Sequence, residues 1–162
     1  MAKHTKPIQA KQIPAETAQS LYPEPFKSMM NGRIKRKLGN HFGLSNFGVN
    51  LTELQPHAMS ALKHCHSKQD ELIYIISGSP TLIYAKQEFE LKAGDCFGFK
   101  AGTGIGHQLI NPSDDVVTYL EIGDRSDDHV TYPDDDLIAQ STDSGAWEFL
   151  HKDGTPYTKD DA

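Results

Sequence analysis

Two histidines and a carboxylate stand in the stretch His64-Cys65-His66-Ser67-Lys68-Gln69-Asp70-Glu71, at a spacing suited to holding a metal ion. Residues two apart point to the same side of a strand, whereas on a helix they diverge by about 200°. His64 and His66 therefore converge on one ion only where the chain is extended. The next residues favour that: Leu72, Ile73, Tyr74, Ile75 and Ile76 form a β-branched and aromatic block, closed by the turn residues Ser77, Gly78, Ser79 and Pro80. Two strands joined by a polar four-residue turn would return Glu71 to the histidines. His107, in a later candidate strand, completes a set of three imidazoles and one carboxylate. As solvated surface groups these residues would have no packing reason to coincide, whereas a ligand set accounts for all of them.

Such a set suits iron, manganese, nickel, zinc or copper, and the expected cofactor is one divalent transition metal, Fe, Mn, Zn or Ni. An octahedral ion would keep two positions open. These suit a chelating hydroxy-carbonyl compound, whose carbonyl is polarised while a nearby base moves a proton. If the ion is Fe(II), the same positions suit oxygen and a catechol-like or thiol substrate, which makes a dioxygenase the second reading. A pocket that binds an effector without turnover is the third.

Composition narrows the partners. A formal net charge of -6 argues against nucleic acid, whose backbone is held by clustered Lys and Arg. A small-molecule partner fits better. At 37% hydrophobic and 23% charged residues the chain is globular, and its apolar runs are too short to cross a bilayer. The polar opening Met-Ala-Lys-His-Thr-Lys lacks an apolar segment behind it, so a cytoplasmic protein is expected. Two cysteines, Cys65 and Cys96, exclude a disulfide framework, and Cys65, alternating with the histidines, should face away from the ion.

The elements that must position these groups follow in chain order. Residues 1–30 carry Pro7, Pro14, Pro23 and Pro25 and read as an arm with one short helical turn near Ala15 to Gln19. The basic run Arg33-Ile34-Lys35-Arg36-Lys37 reads as a charged edge strand. From it, Arg33 and Arg36 are candidates for a substrate-binding, anion-holding rim. Phe47, Val49 and Leu51 alternate with Gly48, Asn50 and Thr52 as a half-buried strand. Thr81 to Leu91 reads as a hairpin, Cys96 to Phe99 as a strand, and Lys100 to Gly106 as a glycine-rich loop. His107, Leu109 and Asn111 share a strand face, and Val116 to Ile122 supplies another strand, on which Glu121 and Tyr119 share one face and are the candidates for a catalytic base. The acidic tail contains Asp134-Asp135-Asp136, read as a solvated loop, and a last strand with Trp147, Phe149 and His151 alternating.

With both histidine segments placed, the chain resembles the cupin superfamily of small β-barrels. His64, His66, Glu71 and Gly78 match the first cupin motif at the family spacing, with Ala58 in place of its leading glycine. Gly94, Gly102, His107 and Asn111 match the second, where Lys100 replaces a usual proline and two extra residues precede His107. Tyr22-Pro-Glu-Pro-Phe26, Tyr132-Pro-Asp-Asp-Asp-Leu137 and His151-Lys-Asp-Gly-Thr-Pro-Tyr157 look like a group of single-domain bacterial cupins described as sugar-phosphate isomerases. The resemblance implies an all-β double-stranded β-helix (jelly-roll barrel), usually paired as a homodimer. The expected organisation is an N-terminal arm and edge strand at 1–40, a barrel at 41–125, and a C-terminal extension at 126–162 packing on the barrel or a partner subunit. The leading functional expectation becomes a metal-dependent enzyme acting on a small oxygenated metabolite, in the form of a sugar-phosphate isomerase.

Overall fold

The structure, a computed structural model, describes residues 6–16, 20–142 and 144–158. Its strands are β1 (Arg33–Lys37), β2 (Phe47–Leu54), β3 (Cys65–His66), β4 (Glu71–Ser77), β5 (Thr81–Tyr84) and β6 (Gln87–Glu90). They continue with β7 (Cys96–Phe99), β8 (His107–Ile110), β9 (Val117–Asp124), β10 (His129–Tyr132), β11 (Leu137–Ser141) and β12 (Trp147–Leu150). One helical turn, α1 (Leu38–His41), joins β1 to β2. Among the described residues no helix is long and apolar enough to cross a membrane.

The strands form two layers of antiparallel sheet. The first is five-stranded, in the order β1-β2-β9-β4-β7, with the basic β1 at its edge as expected. The second combines β12-β11-β10-β3 with β6-β5-β8 across a seam where residues 58–64 lie against residues 107–111. At this seam the N–H of His64 donates to the His107 carbonyl at 3.0 Å, and the N–H of His107 donates back to the His64 carbonyl at 2.8 Å. The result is the expected double-stranded β-helix.

Strand alternation sorts the side chains of the first layer. In β4, Ile73 and Ile75 are buried while Leu72, Tyr74 and Ile76 stand outward. Register then carries the inward face across the sheet: Gly123 lies opposite Glu71, Glu121 opposite Ile73 and Asn50, and Tyr119 opposite Thr52. The polar alternates of β2, not its apolar ones, thus share the interior face with the two carboxylates. Among the described residues, buried side chains form two clusters. Leu54, Ile75, Leu82, Leu109 and Val117 anchor one, whereas Leu62, Val130, Tyr132 and Leu137 anchor the other, onto which Tyr22 and Phe26 of the arm pack. Gly78, at the end of β4, has φ +84°, and a Cβ there would stand 2.8 Å from Val117 Cγ2, so both backbone shape and space demand glycine.

Two sequence expectations change. Glu71 does not return through a hairpin, because β3 hydrogen-bonds to β10 in the second layer while β4 starts in the first. The intervening residues therefore turn a corner between layers. In the arm, helical turns occupy Ala10–Gln12 and Ser28–Met30, and Glu16 bridges Lys35 as extended chain on the edge of β1. The turn expected near Ala15 to Gln19 is thus absent at Glu16, and residues 17–19 lie outside the described residues. Past residue 125 the chain supplies β10, β11 and β12, three of the four strands in the sheet that carries His66.

Candidate metal centre and its pocket

The corner and the seam deliver the expected ligands to one place inside the barrel. Oε2 of Glu71 lies 2.9 Å from His107 Nε2, 3.4 Å from His66 Nε2 and 3.8 Å from His64 Nε2. His64, His66 and Glu71 offer ligand atoms that all fall within 4.8 Å of one another. His107 stands outside that trio, hydrogen-bonded to Glu71 and stacked under Phe99 with ring centroids 3.7 Å apart and planes 7° apart. Gly123 keeps the floor open, since a Cβ there would sit 3.3 Å from Glu71 Cγ.

The second nitrogens of two imidazoles are already spoken for. His64 Nδ1 lies 2.8 Å from the Leu62 carbonyl and His66 Nδ1 lies 2.5 Å from a carboxylate oxygen of Asp128. Both partners only accept, so each Nδ1 carries the proton and each Nε2 presents a bare lone pair on the Glu71 side. Burial, reinforced by the neighbouring His107, lowers the His64 imidazole to about 4 and keeps it neutral. Burial alone would raise Glu71, but the hydrogen bond from His107 and the electrostatic influence of the neighbouring His66 and His64 imidazoles outweigh it and hold the carboxyl at about 2. Two bare imidazole nitrogens beside an ionised carboxylate fit a divalent transition metal. Nδ1 of His107 is buried without a hydrogen-bond partner among the described residues. That agrees with a proton on its Nε2, shared with Glu71.

These groups line a pocket of about 390 Å³. Its opposite wall is polar. Lys35 Nζ donates to Glu121 Oε1 at 2.7 Å, and Asn50 Nδ2 donates to the same oxygen at 3.1 Å. Burial opposes ionisation of Glu121, yet the charge of Lys35 prevails and its pKa lies below the ordinary carboxylate value. Arg33 also faces inward, donating from Nη1 to the Ser60 carbonyl at 2.5 Å. Tyr119 lies beneath, its hydroxyl buried without a hydrogen-bond partner among the described residues, and burial pushes the phenol well above its usual value. The remaining wall is aromatic, with Tyr22 edge-on to Tyr132 and to Phe149 at 5.7 Å and 5.3 Å, and Trp147 beside them.

The structure thus brings together His64, His66, Glu71, His107, Glu121, Tyr119 and Arg33 around one cavity. It does not bring Arg36 there. Arg33 and Lys35 share the inner face of β1, so alternation turns Arg36 outward, where its Nη1 lies 3.2 Å from Glu53 Oε2. The sequence reading missed Lys35, whose place follows from Arg33 by the same alternation. It missed Asn50, Phe99, Asp128 and the aromatic wall as well, since their roles depend on pairings between distant strands. Cys65 faces away, its Sγ 3.7 Å from the Thr131 carbonyl. In the acidic loop, Asp134 meets Lys63 and Asp136 meets His151.

The family model described as "Cupin domain" matches residues 50–123. A crystal structure of a sugar phosphate isomerase from a cupin superfamily, from Silicibacter pomeroyi, is 36% identical, with a TM-score of 0.89 over 96% of this chain and 98% of that one. A candidate sugar phosphate isomerase from Acidithiobacillus ferrooxidans is 26% identical, with a TM-score of 0.69 over 78% and 81%. The polyketide cyclase RemF of Streptomyces resistomycificus, 19% identical with a TM-score of 0.60 over 75% and 80%, shares the fold. No curated protein matches the chain.

Proposed function

Since the chain belongs to the cupin superfamily, we propose that it is a metal-dependent isomerase of a small phosphorylated sugar. The observation that carries this reading is a single pocket with His64, His66 and Glu71 on one wall and Arg33, Lys35 and Glu121 on the other. The likeness to the Silicibacter pomeroyi protein supports the same substrate class.

His64, His66 and Glu71 would hold the ion, with His107 beside them. When bound, a divalent ion there supplies Lewis-acid polarisation of a substrate carbonyl. The chain's own residues supply the rest. Lys35 and Asn50 both grip Oε1 of Glu121, which leaves Oε2 to take a proton from the carbon beside the carbonyl and return it to the neighbouring carbon. Tyr119 stays protonated and can donate a hydrogen bond to a substrate oxygen, while the proton of the adjacent substrate hydroxyl passes to the former carbonyl oxygen as the new carbonyl forms. Arg33 is placed to pair with the phosphate. The aromatic wall covers the carbon chain and excludes water.

Two copies of the chain would pair through the outer face of the five-stranded sheet, where Leu72, Tyr74 and Ile76 are 40%, 43% and 43% exposed in a row.

The isomerase reading is tested by incubating metal-loaded protein with aldose and ketose phosphates in deuterated water and following interconversion and deuterium uptake by NMR. Arg33→Ala should raise KM by about tenfold or more, the scale of one charge-assisted hydrogen bond, with bound metal unchanged. Unchanged KM would remove the phosphate from the proposal. Oxygen consumption coupled to turnover by iron-loaded protein would replace the isomerase with a dioxygenase.

A further inference from the structure

Asp128 lies between the barrel strands and the C-terminal sheet, and its carboxylate side chain is fully buried. Its two oxygens have different partners. Oδ1 accepts from the backbone N–H of Ser67 at 3.0 Å, from the Ser67 hydroxyl at 2.6 Å and from the backbone N–H of Lys68 at 2.8 Å. Oδ2 lies 2.5 Å from His66 Nδ1, and the backbone N–H of His129 also acts on the carboxylate. The backbone of Asp128 is itself fixed, with its N–H 2.6 Å from Ser141 Oγ and its carbonyl accepting from the N–H of Ser141 at 3.0 Å. The carboxylate therefore has no freedom to turn, and the end of it that reaches His66 is determined by the end that caps the corner.

From this we infer that Asp128 is a positioning residue for the metal centre: it fixes His66 as the Nδ1–H tautomer and so keeps the Nε2 lone pair facing Glu71. The inference builds on the metal-dependent reading above, and extends the centre into β10 and β11, beyond the stretch that carries the two cupin motifs. Removing such an outer partner typically costs a metalloprotein 10- to 100-fold in metal affinity.

The backbone donors make Asp128→Asn an unusually selective probe. The N–H groups of Ser67 and Lys68 need an acceptor, so the amide oxygen must take the Oδ1 place and the amide NH₂ must face His66. Nδ1 then becomes an acceptor, its proton moves to Nε2, and the lone pair needed for the ion is lost. The corner keeps its hydrogen bonds. A purely structural Asp128 would leave affinity unchanged under this substitution.

Two readouts test this, using full-length chain. In metal-free protein, ¹⁵N-detected two-bond NMR correlations should show His66 as Nδ1–H in the parent and Nε2–H in Asp128→Asn. Zinc titration by calorimetry should show a Kd raised 10- to 100-fold in Asp128→Asn, while Ser67→Ala, which spares the Oδ2 contact, should stay within about threefold of the parent. An Nε2–H tautomer in the metal-free parent, or a variant that binds zinc as tightly as the parent, would overturn the inference. If the parent bound no zinc, the metal centre would have failed, and the tautomer measurement would still decide the role of Asp128, because it needs neither the ion nor the variant.

Discussion

Glu71 is the residue at which the charges of the centre meet, and its neighbours make the protein acid-sensitive in a definite window. Unfolded chain protonates a histidine near pH 6.5, whereas folded His64 holds out to about 4 because burial and His107 disfavour its cation. Between those values the unfolded state binds more protons, so stability falls as pH drops. Glu71 extends the loss: its folded value of about 2 lies below the ordinary 4.5, so the stability it contributes is present above 4.5 and disappears as pH falls toward 2. Thermal melts of metal-free protein should show Tm decreasing from pH 6.5 to 4, with a shallower slope in His64→Gln. Equal slopes would show that His64 is not the buried neutral group described above. At this scale much of the site was legible, because the i, i+2 spacing of His64 and His66 is a local property of strand geometry. The partners that hold those rings were not legible. Asp128 lies 62 positions from His66 and is only one acid among many in the tail.

At the scale of elements, alternation was readable and pairing was not. The block from Leu72 to Ile76 marks a strand by composition, but nothing in it says that β3 pairs with β10 and that the chain turns a corner before Glu71. A two-residue strand has too little length to announce its partner, and the expected hairpin was the simplest closure available to local reasoning. The same limit explains Arg36: a basic run shows charge, while only register shows which charges face in. The turn after β4 can be probed directly. Gly78→Ala combines a left-handed backbone with a collision at Val117, and is expected to cost roughly 2–4 kcal/mol. Gly94→Ala, at φ +96° with nothing within 4 Å, carries the backbone strain alone and should cost about 1–2 kcal/mol. Urea denaturation of both variants gives the comparison, and equal losses would mean that the contact with Val117 relaxes away.

In the whole molecule the five-stranded sheet is apolar on both faces: its inner face carries the core residues Leu54, Ile73, Ile75 and Val117 beside the two carboxylates, and its outer face exposes Leu72, Tyr74 and Ile76. The pairing proposed through Leu72, Tyr74 and Ile76 accounts for the outer face. Tyr74→Glu is expected to shift the protein from dimer to monomer in sedimentation velocity while leaving metal content intact. A parent that sediments as a monomer would refute pairing through this face. The seam has a different implication. Three of the four candidate ligand residues lie on it or at its edge, where one half of the second layer is joined to the other, and an ion bound to them is also a fastener between those halves. Binding to the folded form alone stabilises it by mass action. Because quality control removes whatever fraction is unfolded, the amount of this protein that a cell keeps would then track the supply of such an ion.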